Sequence, residues 1–131
     1  MDLSVAEFMT REPICLRPVD TLARARAEMR ARNIRHVVIC HEDGRLEGIV
    51  SERDLAQLER FSSVDPNVTQ LHEAMMPVVY AATLATPLAE VAAAMADGRY
   101  GCAVVRDGKR VAGIFTTVDA LRALERLARR R

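Results

Sequence analysis

The chain has no tryptophan, two tyrosines and three phenylalanines. That is too few aromatic faces for a platform on which single-stranded nucleic acid would stack. It also lacks net charge: 19 basic residues against 18 acidic ones leave +1, so there is no field to gather nucleic acid or an anionic membrane surface. Lys109 is the sole lysine, a bias to which no function is attached. Three cysteines, Cys15, Cys40 and Cys102, are odd in number and far apart in mostly apolar stretches. This pattern excludes a disulfide or zinc framework and predicts buried, reduced thiols. His36, His41 and His72 lack metal-ligand spacing, so no metal is expected. No Ser-His-Asp, Cys-His or paired-carboxylate arrangement stands out, and the chain does not read as an enzyme. No apolar run approaches a membrane span, and the opening MDLSVAEFMTRE lacks the basic head and apolar core of a signal peptide, which predicts a cytoplasmic protein.

What is present is an ordinary globular composition, 131 residues with 50% hydrophobic and 28% charged, written twice. Leu22, Ala25 and Met29 recur as Leu88, Val91 and Met95, and both sets have the i, i+3, i+7 spacing of a helix with one buried stripe. Asp20, and Thr86 with Pro87, read as their starts; Asn33 and Gly98 read as left-handed ends. Apolar runs follow at His36 to Cys40 and Gly101 to Val105. Asp43-Gly44 and Asp107-Gly108 are hairpin turns, and strands return over 46–50 and 111–115. Helices over 52–58 and 117–130 close the halves. Ser4 and Glu7 have the spacing of a capping box for a short opening helix, and Ile14-Cys15-Leu16 and Val78-Val79-Tyr80 read as brief extended pieces. The division expected is 1–60 with an N-terminal helix, a linker at 61–69 that contains Pro66, and 70–131.

The chemistry-bearing pattern is also duplicated. Gly48-Ile49-Val50-Ser51-Glu52-Arg53-Asp54 and Gly113-Ile114-Phe115-Thr116-Thr117-Val118-Asp119 each run from a strand into a helix. Free N–H groups and the positive end of a helix dipole attract an anion there, and a hydroxyl adds a donor. An Asp one turn further on repels phosphate at close range but accepts both hydroxyls of a ribose. The Gly admits a ligand or a neighbouring backbone where a Cβ would obstruct it. Singly, each pattern is equally a plain helix cap.

These two junctions, the stretch Asn33-Ile34-Arg35-His36 and the Asp-Gly hairpins together resemble a tandem pair of CBS domains, the cystathionine β-synthase motif, in what is called a Bateman module. The resemblance spans roughly 3–58 and 70–128. It implies an α/β (α+β) fold of two β-α-β-β-α repeats packed about a pseudo-twofold axis, with clefts between them for adenosyl ligands: AMP, ADP, ATP, NAD(H) or S-adenosylmethionine. It assigns ribose hydroxyls to Asp54 and Asp119. Phosphate falls to Ser51, Arg53, Thr116 and Thr117. Backbone reading of the base falls to Ile34, Arg35, His36 and Val37 in the first half and to Tyr100, Gly101, Cys102 and Ala103 in the second. The expected function is regulatory ligand sensing. No intrinsic cofactor is expected, with Mg2+ only beside a polyphosphate ligand. The expected partners are a second copy of the chain, with Leu55, Leu58, Leu121 and Leu124 at the interface, and a separate target protein. The alternative is a dimerisation or protein-interaction module whose clefts are degenerate and empty.

Overall fold

The computed structural model describes residues 3–78 and 80–130. In chain order the strands are β1 (Thr10–Arg11), β2 (Cys15–Leu16), β3 (His36–Cys40), β4 (Leu46–Ser51), β5 (Ala81–Thr83), β6 (Cys102–Asp107) and β7 (Arg110–Thr116). The helices are α1 (Leu22–Arg32), α2 (Glu52–Glu59), α3 (Leu88–Gly98) and α4 (Thr117–Arg129), with single 3-10 turns at Val5–Glu7 and Leu71–Glu73. Each repeat is thus β-α-β-β-α, the mixed α/β architecture that the sequence predicts.

Two compact units form, and they do not follow sequence order. Residues 14–78 make one; residues 3–13 join 80–130 in the other. The division expected at a 61–69 linker differs from this because backbone hydrogen bonds decide membership. In the unit of residues 14–78, β2 pairs parallel with β3, and β3 antiparallel with β4. The segment after the supposed linker then returns to the same sheet, where Met76 and Ile49 exchange backbone bonds of 2.8 and 2.9 Å. The linker itself caps α1: Thr69 O accepts from Leu22 N–H at 3.0 Å and Pro66 O from Ala23 N–H at 2.8 Å, satisfying two of the first-turn donors every helix leaves open. In the other unit β5 pairs parallel with β6, β6 antiparallel with β7, and β1 antiparallel with β7. Leu88 N–H donates to Leu3 O at 2.7 Å and Val5 N–H to Thr86 O at 2.9 Å. Each unit is therefore completed by the segment that precedes the other repeat.

The predicted stripes line the two cores. Leu22, Ala25 and Met29 pack with Val37, Ile39, Val50 and Leu55; Val91 and Met95 pack with Val5, Ala103, Val105 and Phe115. Four details differ from the sequence reading. The cap of α1 is Thr21, whose hydroxyl accepts from Arg24 N–H, while the Asp20 carboxylate accepts from Arg17 N–H. Pro87 is the cap residue of α3, one residue later than the expected Thr86, and the Thr86 hydroxyl is engaged by Thr83 N–H. The left-handed end of α3 is Arg99, not Gly98. Gly98 lies inside the helix, and the Tyr100 ring is 2.2 Å from where its Cβ would be. The second extended piece is 81–83 rather than 78–80: Val78 and Tyr80 are outside any strand, and Val79 lies outside the described residues.

Candidate nucleotide site

Both Gly-apolar-apolar-Ser/Thr-x-x-Asp segments sit where they were expected, at the β4-to-α2 and β7-to-α4 junctions. Ser51 caps α2: its Oγ accepts from Asp54 N–H at 3.0 Å, and Asp54 Oδ2 accepts from Ser51 N–H at 2.8 Å. The residue just before β3 adds a third tie, since Glu52 N–H donates to Arg35 O at 2.9 Å. The first turn of α2 is thus largely satisfied by protein, so an anion there depends on the Ser51 hydroxyl and on the exposed Arg53 guanidinium more than on free backbone donors. Asp54 is half-buried, and its Oδ1 has no partner among the described residues.

The second junction repeats these bonds, adds one within itself and gains an extra one from outside. Thr116 Oγ1 accepts from Asp119 N–H at 3.3 Å, Asp119 Oδ2 accepts from Thr116 N–H at 2.9 Å, and Thr117 N–H donates to Gly101 O at 3.2 Å. The Thr116 hydroxyl also donates to Asp119 Oδ2 at 3.1 Å. The extra bond comes from β1: the Thr10 hydroxyl reaches Asp119 Oδ1 at 3.1 Å and Oδ2 at 3.3 Å. Asp119 is 8% exposed, the buried charged side chain among the described residues. Thr117 is exposed.

The two glycines have a structural task. A Cβ on Gly48 would lie 2.8 Å from Met76 O, and one on Gly113 would lie 2.8 Å from Thr10 O and 2.5 Å from the Met9 sulfur. Of the two uses that the sequence left open, the close neighbour is backbone.

The strands assigned to the base lie beside the hydroxyls. His36 is in register with Ser51 and Val37 with Val50; Cys102 is in register with Thr116 and Ala103 with Phe115. Ile34 is half-buried against the core and Arg35 is exposed; Gly101 is exposed and Ala103 fully buried. Burial lowers the His36 pKa below its usual 6.5, with Asp54 opposing the shift and Arg35 adding to it, so the imidazole is neutral at pH 7. Tyr80 and Tyr100 stack with ring centroids 6.3 Å apart at 16°. Sequence reasoning did not single out Tyr80. Its only signal is that a shift of 66 places Tyr80 on Ile14 and Tyr100 on Ile34, so both aromatic rings fall in one unit.

Two other expectations change. Cys15 is exposed rather than buried, and its thiol hydrogen-bonds with that of Cys40, which brings the Cys15 pKa down to about 7 and pushes Cys40 up. Parallel pairing of Cys15 with Val38 puts Cys40, two residues on, on the same face. Leu55 is fully buried and Leu58 packs against the core, so these two do not form an outer face; Val118, Leu121 and Leu124 of α4 are exposed. An apolar groove of about 400 Å³ between α3 and α4, lined by Leu88, Ala92, Phe115, Leu124 and Leu127 among others, contains none of the residues expected at the ligand.

The CBS domain model matches residues 5–60 and 68–126. The chain belongs to the CBS domain family. A putative acetoin utilization protein from Vibrio cholerae superposes with a TM-score of 0.90 at 33% identity, over 98% of this chain and 95% of that one. The CBS domain pair of protein MJ0100, solved with 5′-methylthioadenosine and S-adenosyl-L-methionine, superposes with a TM-score of 0.84 at 26% identity, over 95% of this chain and 98% of that one. Hypoxic response protein 1 from Mycobacterium tuberculosis is 26% identical over 118 residues, 90% of this chain and 82% of the relative. A solved structure of hypoxic response protein I holds two coordinated zinc ions and superposes with a TM-score of 0.81 at 25% identity, over 92% of this chain and 98% of that one. In this CBS pair the described residues include no group of three or more His, Cys, Asp or Glu placed to hold a metal ion. They also include no helix long and apolar enough to cross a membrane.

Proposed function

We propose that this CBS pair is a regulatory module that senses an adenosyl nucleotide: AMP, ADP, ATP, NAD(H) or S-adenosylmethionine. The observation that carries the reading is the duplicated strand-to-helix junction. At corresponding places in the two repeats, a hydroxyl and an aspartate flank the first turn of a helix beside an extended strand, and at Asp54 a carboxylate oxygen is left without a partner among the described residues. A ribose supplies two adjacent donors to such a carboxylate. Ser51 and Arg53, and at the second junction Thr116 and Thr117, are placed on the phosphate or its sulfonium-bearing equivalent. The backbone of Ile34 to Val37, and of Tyr100 to Ala103, reads the base. The likeness to a CBS pair crystallised with two adenosyl compounds supports this ligand class.

Binding is the readout, because no reaction is assigned. The chain needs no intrinsic cofactor in this account, and Mg2+ enters only with a polyphosphate. Its output passes to a separate target protein. A ligand that binds the native state alone raises stability by about 2.7 kcal/mol at one hundred times its dissociation constant. Thermal melts with AMP, ATP, NADH and S-adenosylmethionine, with GMP and CMP as controls, therefore give the test. Melts that stay flat for all the adenosyl compounds at millimolar concentration favour the ligand-free dimerisation module instead.

A further inference from the structure

We propose that Thr10 acts as a latch on Asp119, so that the chain holds one open ribose site, at Asp54, and one closed site, at Asp119; this rests on the adenosyl reading above. The two aspartates occupy equivalent positions but have different partners. Asp119 receives three donors: the Thr116 N–H, the Thr116 hydroxyl and the Thr10 hydroxyl, the last touching both carboxylate oxygens. A carboxylate offers about four lone-pair positions, and Asp119 is 8% exposed. A vicinal diol therefore has no room on it until Thr10 leaves. Asp54 receives the Ser51 N–H on Oδ2 and keeps Oδ1.

The difference comes from one residue pair. Thr10 bridges to Ile114 on β7, and Met76 bridges to Ile49 on β4, so the two occupy the same place in their units. Threonine brings a hydroxyl to the aspartate; methionine brings a thioether that donates nothing. Gly113 and Gly48 let the two segments approach equally closely, each with a carbonyl 2.8 Å from the position of a Cβ. The asymmetry is thus a matter of donor chemistry at position 10 against position 76.

Calorimetric titration of the full chain with AMP tests the latch. The expected result is one equivalent bound per chain. Asp54→Ala abolishes binding. The isosteric Thr10→Val uncovers Asp119 and raises the stoichiometry to two. Met76→Thr installs the latch at the first junction and weakens AMP by about tenfold, the worth of one contested charged hydrogen bond. Two equivalents on the unaltered chain, or one equivalent that survives Asp54→Ala and is lost in Asp119→Ala, overturns the latch while the adenosyl reading stands. No heat with the unaltered chain and with Thr10→Val overturns both.

Discussion

At the scale of single residues, the groups that titrate give the sharpest expectations. The Cys15 thiol, held near pKa 7 by the Cys40 hydrogen bond, reacts as its thiolate. Iodoacetamide should label Cys15 first, at a rate that climbs through about pH 7, and leave Cys40 and Cys102 until the chain unfolds; mass spectrometry of timed samples that finds Cys102 labelled first contradicts the placement. His36 works in the opposite sense to a paired histidine. Burial lowers its folded pKa, so the unfolded chain takes up the proton first as pH falls below about 6.5. Stability is full above that pH and is lost as pH falls toward the lower folded value. Urea melts at pH 7.5 and 5.5 should show this loss, and His36→Gln should shrink it; an unchanged slope sinks the assignment. These properties were unevenly legible. The hydroxyl-Asp spacing of Ser51 and Asp54 was visible because a cap is a local contact. The Cys15–Cys40 pair was not, because it depends on parallel pairing of strands separated by a helix, which no local spacing reveals.

At the scale of elements, the repeat made both helical stripes and both hairpins readable, since amphipathic period and turn chemistry are short-range signals. Boundaries moved by a residue where two neighbours compete for one cap, as Asp20 and Thr21 do. The exchanged segments were hidden for a different reason. Residues 4–11 read as the opening of the first repeat, yet they bond to β7 and to Thr86, over seventy residues on, and only tertiary pairing selects that partner. The glycines of the junctions are where this pairing left a trace in the sequence. Gly48→Ala and Gly113→Ala each drive a methyl onto a backbone carbonyl at 2.8 Å, which cannot swing aside as a side chain can. Each should destabilise the fold by about 1–3 kcal/mol, the usual cost of overpacking, as read from denaturant midpoints at an unchanged slope. A cost near zero at both positions would mean that the exchanged segments do not lie against the junctions.

At the scale of the whole molecule, α4 is the face on which a proposed association would fall. Val118, Leu121 and Leu124 are 54%, 66% and 64% exposed along one side of the helix, while Leu55 of α2, which the junctions align with Ala120, is buried. Sequence reading treated the two helices alike, since both show leucines at helical spacing; burial separates them. A homodimer built on α4 is expected, isologous as a twofold demands. Sedimentation should show a dimer at tens of micromolar, a range typical of modest association. Leu121→Glu with Leu124→Glu should give monomer; an unaltered chain that is already monomeric there removes this interface. Calorimetric titration of AMP into the unaltered chain, beside Asp54→Ala, decides whether an adenosyl ligand binds. Saturable heat with the unaltered chain, absent with GMP and lost in Asp54→Ala at an unchanged melting temperature without ligand, is the predicted result; no saturable heat with AMP, S-adenosylmethionine or NADH at millimolar concentration contradicts it.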